Sequence, residues 1–218
     1  DDGVIPFRVE RRRAGGSLRR WVNSRWFAPS DFRQQGARGK FSGVYIPFWT
    51  YDTMTANRYS GERGEDYTVT VGTGKDRRTE TRTRWYPAEG AFQEFFDDVM
   101  VLAARGLPSG ILQRLEPWPI GKLVPFNQQM LAGYFARTYE VKLDEGFAQA
   151  KTRIDSAIHH STCRHIGGDR QRVHDIQTRY NAITYKHLLL PVWLMAYRYR
   201  QRTYQVVINA ATGEVQGE

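Results

Sequence analysis

The stretch Asp66-Tyr-Thr-Val-Thr-Val-Gly-Thr-Gly-Lys-Asp-Arg-Arg-Thr-Glu-Thr-Arg-Thr-Arg-Trp85 decides the fold class. On both sides of the segment Gly72–Asp76, the residues alternate in character with a period of two. Such alternation is typical of β-strands, and the glycines between the two runs suit a tight turn. The stretch therefore predicts an antiparallel hairpin.

Further strands are predicted at the end of the chain, where residues 197–199 and 203–209 alternate before a turn at Gly213 and a last apolar residue, Val215. Residues 98–103 form a short apolar run that fits a strand or a helix, and the pattern does not choose between them. The glycines Gly61 and Gly64 lie among charged residues and predict a polar turn with two positive φ angles.

A short phrase of two apolar residues, proline and a further apolar residue recurs along the chain. Because proline is tolerated in a strand only at an edge, an end or a bulge, each copy predicts a strand start or a kink. The repetition suggests an internal duplication with halves 1–120 and 121–218, and one continuous domain is the alternative. The copies are Val4-Ile5-Pro6-Phe7, Tyr45-Ile46-Pro47-Phe48, Leu123-Val124-Pro125-Phe126 and Leu189-Leu190-Pro191-Val192.

Two segments have the apolar spacing of amphipathic helices. The first runs from Ser17 to Phe27, and we expect the pair Gly15-Gly16 to limit its start and Pro29 its end. The second runs from Asp144, a suitable N-cap, to Cys163. Its apolar stripe consists of Phe147, Ala150, Ile154, Ala157 and Ile158. Together with the strands, these helices predict an α+β fold of mainly antiparallel sheets with a few amphipathic helices.

The composition is strongly basic, with a formal net charge of +9 that is carried by 26 Arg and only 6 Lys. Arginine makes bidentate contacts to phosphate and carboxylate groups. We therefore expect an anionic partner, which is an acidic protein, a nucleic acid or an anionic membrane surface. The single cysteine, Cys163, and the shortness of the apolar run 188–196 favour a soluble protein of a reducing compartment, the cytoplasm.

Two groups of arginines are the candidate binding residues. If the first segment is helical, part of its set forms a cationic face opposite the apolar stripe, with the tryptophans Trp21 and Trp26 packed inward. The first set is Arg8, Arg11, Arg12, Arg13, Arg19, Arg20 and Arg25, and the second is Arg164, Arg170, Arg172 and Arg179. The alternative reading of both sets is a solvated, solubilising surface.

Motifs for catalysis are not found. The loop Gly72-Thr-Gly-Lys75 is followed by Asp76, where a phosphate loop needs Ser or Thr. A serine nucleophile elbow is missing as well. The neighbouring carboxylates Asp97 and Asp98 should face opposite sides of a strand and so should not share a substrate. The sequence predicts a non-enzymatic protein, and an enzyme ranks third after a binding module and a nucleic-acid-binding protein.

A metal site is a weaker alternative. His159 and Cys163 lie one helical turn apart, and His165 or His174 could complete a ligand set for zinc. Because no Cys-x-x-Cys pair is present, we instead expect polar histidines at a helix end, where a partial positive charge suits the helix dipole. No metal or cofactor is expected in this chain.

Several phrases resemble a family of bacterial TFIIB-type zinc-ribbon-containing proteins, which often carry the label "primosomal protein N′ (replication factor Y), superfamily II helicase". The resemblance covers nearly the whole chain. The phrases that carry it are Arg20-Trp-Val-Asn-Ser-Arg-Trp-Phe-Ala-Pro29, Gly43-Val-Tyr-Ile-Pro-Phe-Trp49, Tyr59-Ser-Gly-Glu-Arg-Gly64, Ile166-Gly-Gly-Asp-Arg-Gln171, Lys186-His-Leu-Leu-Leu-Pro-Val-Trp193 and Asn209-Ala-Ala-Thr-Gly-Glu-Val215.

The resemblance implies a zinc ribbon before this region and a hydrophobic segment after it, which would place the region at the inner face of a membrane. The ribbon cysteines are absent here, so zinc is expected only outside this chain. The helicase label does not transfer, because the residues form neither a phosphate loop nor a magnesium-binding acidic box. The resemblance therefore implies a binding or scaffold module, with a nucleic-acid-binding accessory domain of replication or repair as the alternative.

Overall fold

A computed structural model describes residues 2–24, 41–199 and 202–217, with the backbone alone given for 197–199 and 202–203. Its strands are β1 (Gly3–Val4), β2 (Ser42–Val71), β3 (Arg78–Leu102), β4 (Phe135–Ala136), β5 (Arg170–Tyr199), β6 (Arg202–Asn209) and β7 (Val215–Gly217). Its α-helices are α1 (Arg11–Asn23), α2 (Ser109–Gln113) and α3 (Leu143–Ile166). The expectation of an α+β fold with mainly antiparallel pairing is confirmed.

The strands pair in the order β3-β2-β5-β6-β7. The pairs β5–β6 and β6–β7 are antiparallel. The short strands β1 and β4 add parallel pairings, β1 to β5 and β4 to β2. The hairpin predicted at 66–85 is present, because β2 ends at Val71 and β3 begins at Arg78. Gly72 has a φ of 87°, a left-handed conformation that favours glycine in the turn.

Two compact units divide the chain. Unit 1 comprises Asp1–Thr50, Met100–Phe147 and Tyr185–Glu218, and unit 2 comprises Tyr51–Val99 and Ala148–Thr184. This division differs from the predicted halves 1–120 and 121–218, because β2, β3 and β5 each contribute residues to both units. The internal duplication stays a prediction.

Unit 1 contains two of the main apolar clusters. In one, Ile46, Phe48 and Leu190 pack with Leu115 and Trp118. In the other, helix α1 packs its buried residues Ala14, Leu18 and Val22 against Trp193 and Ile208. Each side chain in these clusters is at most 8% exposed, so unit 1 has a conventional hydrophobic core.

The proline phrases all lie in unit 1 and participate in strand pairing. Val4 and Val124, from the first and third copies, exchange two backbone hydrogen bonds of 3.0 Å. Pro47 and Pro191, from the second and fourth, lie inside β2 and β5. The carbonyl group of each of these prolines accepts a backbone hydrogen bond. The Ala103 N–H donates to Pro47, and the Ala210 N–H donates to Pro191. Both prolines therefore lack only the N–H donor and still take part in backbone pairing through their carbonyl groups.

Unit 2 is smaller and its interior is more polar. Helix α3 packs on a sheet formed by parts of β2, β3 and β5, through Ala150, Ile154 and Ile158, each at most 1% exposed. These residues belong to the predicted apolar stripe, so that prediction is confirmed. Facing them, the sheet presents polar side chains, of which Thr53, Thr55 and Asn57 are buried. Hydrogen bonds satisfy them, for example from the Thr178 hydroxyl to Asn57 Oδ1 at 2.8 Å.

Two local predictions are wrong, and one open alternative is decided. Gly15 and Gly16 do not limit a helix but lie inside α1, which starts at Arg11. Gly61 and Gly64 lie inside β2 and have no positive φ. A Cβ atom at Gly61 would lie 2.1 Å from the Arg172 carbonyl oxygen, so close approach of β5, and not a turn, requires glycine there. The short run 98–103, left open, largely belongs to strand β3.

Candidate anion-binding face of helix α1

Helix α1 separates its residues into an apolar face and a cationic face. Ala14, Ser17, Leu18 and Val22 are buried. The arginines of the helix are exposed, and on a 3.6-residue helix most of them lie opposite the buried stripe. They are Arg11, Arg12, Arg13, Arg19 and Arg20. The predicted cationic face is therefore present, in a helix that starts earlier than expected.

These arginines have no acidic partners among the residues that the structure describes. Arg20 donates to the Ser17 hydroxyl at 3.2 Å, and the other four side chains make no ion pair or hydrogen bond there. The first turn of α1 contains no acidic residue. Cations at a helix N-terminus also meet the positive end of the helix dipole. The face is thus a concentration of positive charge that no described residue neutralises.

The tryptophans and the two arginines outside α1 complete the first basic set. Trp21 is half-buried and packs against the cluster formed by α1 and Trp193, as expected of an inward-packed tryptophan. Arg25 and Trp26 lie outside the described residues. Arg8 is exposed immediately before the helix and extends the basic surface toward its N-terminus.

Two of the four arginines of the second basic set, Arg170 and Arg172, pair with carboxylates within unit 2, whereas Arg164 donates to the Ser161 hydroxyl and Arg179 makes no ion pair with a described residue. Arg170 lies 3.0 Å from the Asp66 carboxylate. Arg172 lies 3.5 Å from Glu62, and its guanidinium stacks 3.8 Å above the Trp85 ring. Hydrogen bonds from Thr83 and Arg170 hold the pKa of Asp66 below its usual range, so this carboxylate stays charged. Arg170 and Arg172 therefore serve the packing of β5 on β2, and of the two predicted basic sets α1 has the larger number of arginines without an acidic partner among the described residues.

The weaker metal alternative is not assembled. The Cys163 Sγ lies 3.9 Å from His159 Nδ1. His165, however, stacks on the Phe92 ring with centroids 4.4 Å apart, and His174 pairs with Glu62 at 3.3 Å. The four side chains do not converge on one point. His165 lies against Phe92 of strand β3, whereas His174 lies on strand β5 and contacts Glu62 of strand β2.

A carboxylate cluster in unit 2 corrects another expectation. Oxygen atoms of Asp52, Asp97 and Asp98 lie within 4.8 Å of one another. The expectation that Asp97 and Asp98 face opposite sides is wrong, because Asp98 has a φ of 50° and interrupts the alternation of β3. Sequence reasoning missed Asp52, which accepts hydrogen bonds from the Asp98 N–H at 2.8 Å and from the Thr184 hydroxyl at 3.0 Å. Asp52 thereby connects three strands.

Comparisons with known proteins give one relative and no family. No protein-family model matches the chain, and no solved structure matches it. The chain is similar to a Bacillus subtilis (strain 168) protein described as "Uncharacterized protein YdjG". The two are 28% identical over 225 residues, which cover 99% of this chain and 62% of the relative. The chain thus spans less than two thirds of its relative's length, and the zinc-ribbon resemblance stays a prediction.

Proposed function

We propose that this chain is a non-enzymatic binding module that holds an anionic partner on helix α1, as part of a membrane-associated protein of the zinc-ribbon type. The observation that carries the proposal is the row of exposed arginines, Arg12, Arg13 and Arg19 among them, none of which forms an ion pair with a described acidic residue. Other exposed arginines such as Arg63, Arg78 and Arg105 do pair with carboxylates. Charge on α1 is therefore available to a partner.

The placement of this charge supports a binding role. Helix stability favours acidic residues in the first turn, whereas Arg11, Arg12 and Arg13 occupy that turn. Residues that lower the stability of an element without serving its packing are expected at functional positions. We therefore assign this face to recognition.

The membrane context of the proposal rests on the resemblance. Among the described residues, no helix combines the length and the apolar character that crossing a lipid bilayer requires. An anionic membrane surface would attract α1 through its arginines, each worth about 1 kcal/mol near the surface. Zinc would belong to a ribbon outside this chain.

A nucleic acid is the second candidate partner. Arginine side chains with the reach of Arg12, Arg13 and Arg19 suit phosphate contacts, which need charge more than a fixed geometry. We expect no base readout, because Trp21 is half-buried against the core and is not presented for stacking. Binding on this account is weak and independent of sequence.

The test compares charge reversal on α1 with charge reversal elsewhere. The variant Arg11→Glu/Arg12→Glu/Arg13→Glu should bind a labelled mixed-sequence oligonucleotide and phosphatidylserine vesicles at least about tenfold more weakly than the wild type. The matched control Lys75→Glu/Arg77→Glu/Arg82→Glu makes the same change in net charge on the exposed hairpin. It should lose much less binding.

Fluorescence anisotropy and vesicle co-sedimentation give the two readouts. Similar affinities for oligonucleotide, vesicles and heparin at equal charge are the expected result. Tight, sequence-dependent oligonucleotide binding would replace the scaffold proposal with nucleic-acid recognition. Equal losses in the two variants would remove α1 as the binding face.

A further inference from the structure

The sheet of unit 2 has one face covered by helix α3 and one open face. Along β2, Thr53, Thr55 and Asn57 are buried, while Met54, with 37% exposure, and Arg58 are exposed between and beyond them. The buried side faces α3, since a Cβ at Gly61 would lie 3.0 Å from Ile166 Cδ1. Because side chains alternate across a strand, Met54, Ala56 and Arg58 of β2 lie on the open face.

Two arginines are neighbours on this open face. The contacts Asp66–Arg170, Asn57–Thr178 and Asp52–Thr184 run in opposite directions along β2 and β5, so the two strands are antiparallel. Thr178 donates to Asn57 Oδ1 at 2.8 Å, and these two residues are neighbours across the strands. Antiparallel pairing then places Arg179 beside Ala56 and Gln177 beside Arg58. Arg58 and Arg179 are therefore diagonal neighbours, with Cβ atoms about 7–8 Å apart, a spacing that their long side chains span easily.

A cleft of about 880 Å³ lies over this part of the face. Its lining includes Arg58 and Arg179 with the amides of Gln93 and Gln177. Ala56 and Ala91 also line it, and their small side chains leave the space between the longer ones open. A second cleft shares Arg58, Ala91 and Gln177 and adds Glu89 and Asp175.

Neither guanidinium is neutralised by a residue that the structure describes. Arg58 and Arg179 make no side-chain ion pair or hydrogen bond there, although Arg170 and Arg172 on the same strand as Arg179 are both paired. An arginine offers a planar fork of donors that fits the oxygen atoms of phosphate and carboxylate groups. Two forks that make no ion pair with a described residue therefore line one cleft, beside the Gln93 amide and a Gln177 amide that donates to the Asp175 carboxylate at 3.1 Å.

We propose that Arg58 and Arg179 bind the phosphate group of a ligand in this cleft. One fork suffices for the two oxygens of a carboxylate, whereas a phosphate presents further oxygens and a charge near −2 that a second fork can engage. Gln93 adds an amide donor to the lining, and Gln177 has a second N–H besides the one that it donates to Asp175. The site is in unit 2 and does not depend on the α1 face of unit 1.

The test uses the whole chain and inorganic pyrophosphate at constant ionic strength, followed by amide chemical shifts. The shifts of residues 56–58, 91–93 and 177–179 should respond saturably in the wild type. The double variant Arg58→Gln/Arg179→Gln should bind at least about tenfold more weakly, since two charge-assisted contacts are lost. The control Lys75→Gln/Arg77→Gln removes the same charge from the exposed hairpin and should bind like the wild type.

Two further arms define the ligand. The variant Arg58→Lys/Arg179→Lys keeps the charge but loses the forks, so it should also bind more weakly than the wild type. Vesicles of phosphatidic acid in phosphatidylcholine distinguish a lipid headgroup from a free phosphate. If the natural ligand is a lipid headgroup, the protein should bind these vesicles more tightly than it binds pyrophosphate. In both cases the double glutamine variant should lose the binding.

Three results would overturn the proposal. They are wild-type affinity in the double glutamine variant, wild-type affinity in the double lysine variant, and a succinate affinity equal to that of pyrophosphate. Thermal unfolding of each variant checks the fold, and both arginines are exposed, so we expect little change in midpoint. The variant Arg11→Glu/Arg12→Glu/Arg13→Glu should keep pyrophosphate binding, which separates this site from the proposed function of α1.

Discussion

At the residue scale, close contact explains the glycine at position 61. A Cβ there would lie 2.1 Å from the Arg172 carbonyl oxygen, which belongs to backbone and cannot swing aside. Gly61→Ala should therefore lower the free energy of unfolding by about 2 kcal/mol or more, through a shift of β5 away from β2. Urea unfolding measures the change. Gly110→Ala is the control, because its Cβ meets nothing within 4 Å, and equal stability of the two variants would contradict the pairing.

His187 gives unit 1 a pH-dependent stability. Its ring is buried, 4.8 Å from the Trp49 ring, and burial lowers the pKa of the imidazole, which the nearby Asp2 carboxylate only partly opposes. Because the unfolded chain takes up this proton near its ordinary pKa of about 6.5, stability should fall as the pH drops below that value. The loss should end once the pH is below the folded-state pKa.

The variant His187→Phe tests this linkage. It keeps a ring beside Trp49 and removes the titrating group, so the slope of unfolding free energy against pH just below about 6.5 should become shallower. Urea unfolding at several pH values gives the slope. An unchanged slope would show that another group is responsible.

Asp98 and Arg170 show which features of single residues the sequence does not predict. Asp97 and Asp98 were expected on opposite faces because the alternation rule holds for regular strands. The positive φ of Asp98 breaks that rule, and a bulge of this kind leaves no mark on the periodicity. Likewise, the partner of Arg170 is Asp66, which is distant in sequence, so its neutralisation depended on the tertiary fold.

At the element scale, helix α1 contains a conflict between stability and charge. Arg11, Arg12 and Arg13 occupy the first turn, and Glu10 makes no side-chain capping bond. Changing these three arginines to glutamate should raise the stability of the helix, since acidic groups near the N-terminus gain typically about 0.3–1 kcal/mol each. The same variant should bind anions more weakly.

The gain in stability and the loss of anion binding can be measured on the same triple variant. Thermal unfolding should show a midpoint equal to or above that of the wild type, while anisotropy shows reduced oligonucleotide binding. A large fall in the midpoint would mean that the arginines support the fold, and the unpaired charge would then need another explanation. Added salt should narrow the stability difference, because it screens exposed charges.

Elements whose signals are local were predictable. The hairpin at 66–85 and helix α3 follow from alternation and from an apolar stripe, and both are present. The start of α1 was not predictable from propensity, because Gly15 and Gly16 disfavour a helix on their own. Packing of Ala14 and Leu18 against the core of unit 1 outweighs that cost.

At the scale of the whole molecule, a basic composition becomes specific once paired and unpaired arginines are separated. The sequence predicted a net charge of +9 and two candidate sets, but it gave no means to rank them. The structure pairs Arg170 and Arg172 with carboxylates and leaves α1 unpaired among the described residues. It also brings together Arg58 and Arg179, which no local pattern connects.

The division into two units also depends on contacts between residues that are distant in sequence. The three long strands β2, β3 and β5 each enter both units, so a boundary at residue 120 has no counterpart in the contacts. Pairing between strands that are distant in sequence decides which segments belong to one unit. The recurring proline phrases do not predict that pairing. Duplication can be tested only by comparing the structures of the parts.

If α1 holds the anionic partner, amide chemical shifts should locate the bound ligand on this helix. With a mixed-sequence oligonucleotide, and separately with phosphatidylserine vesicles, the largest perturbations or intensity losses should lie at residues 11–20. They should diminish as salt rises, because counterions compete for the same charges. Perturbations that are centred on the hairpin at 75–82, or that leave 11–20 unchanged at saturation, would contradict the account.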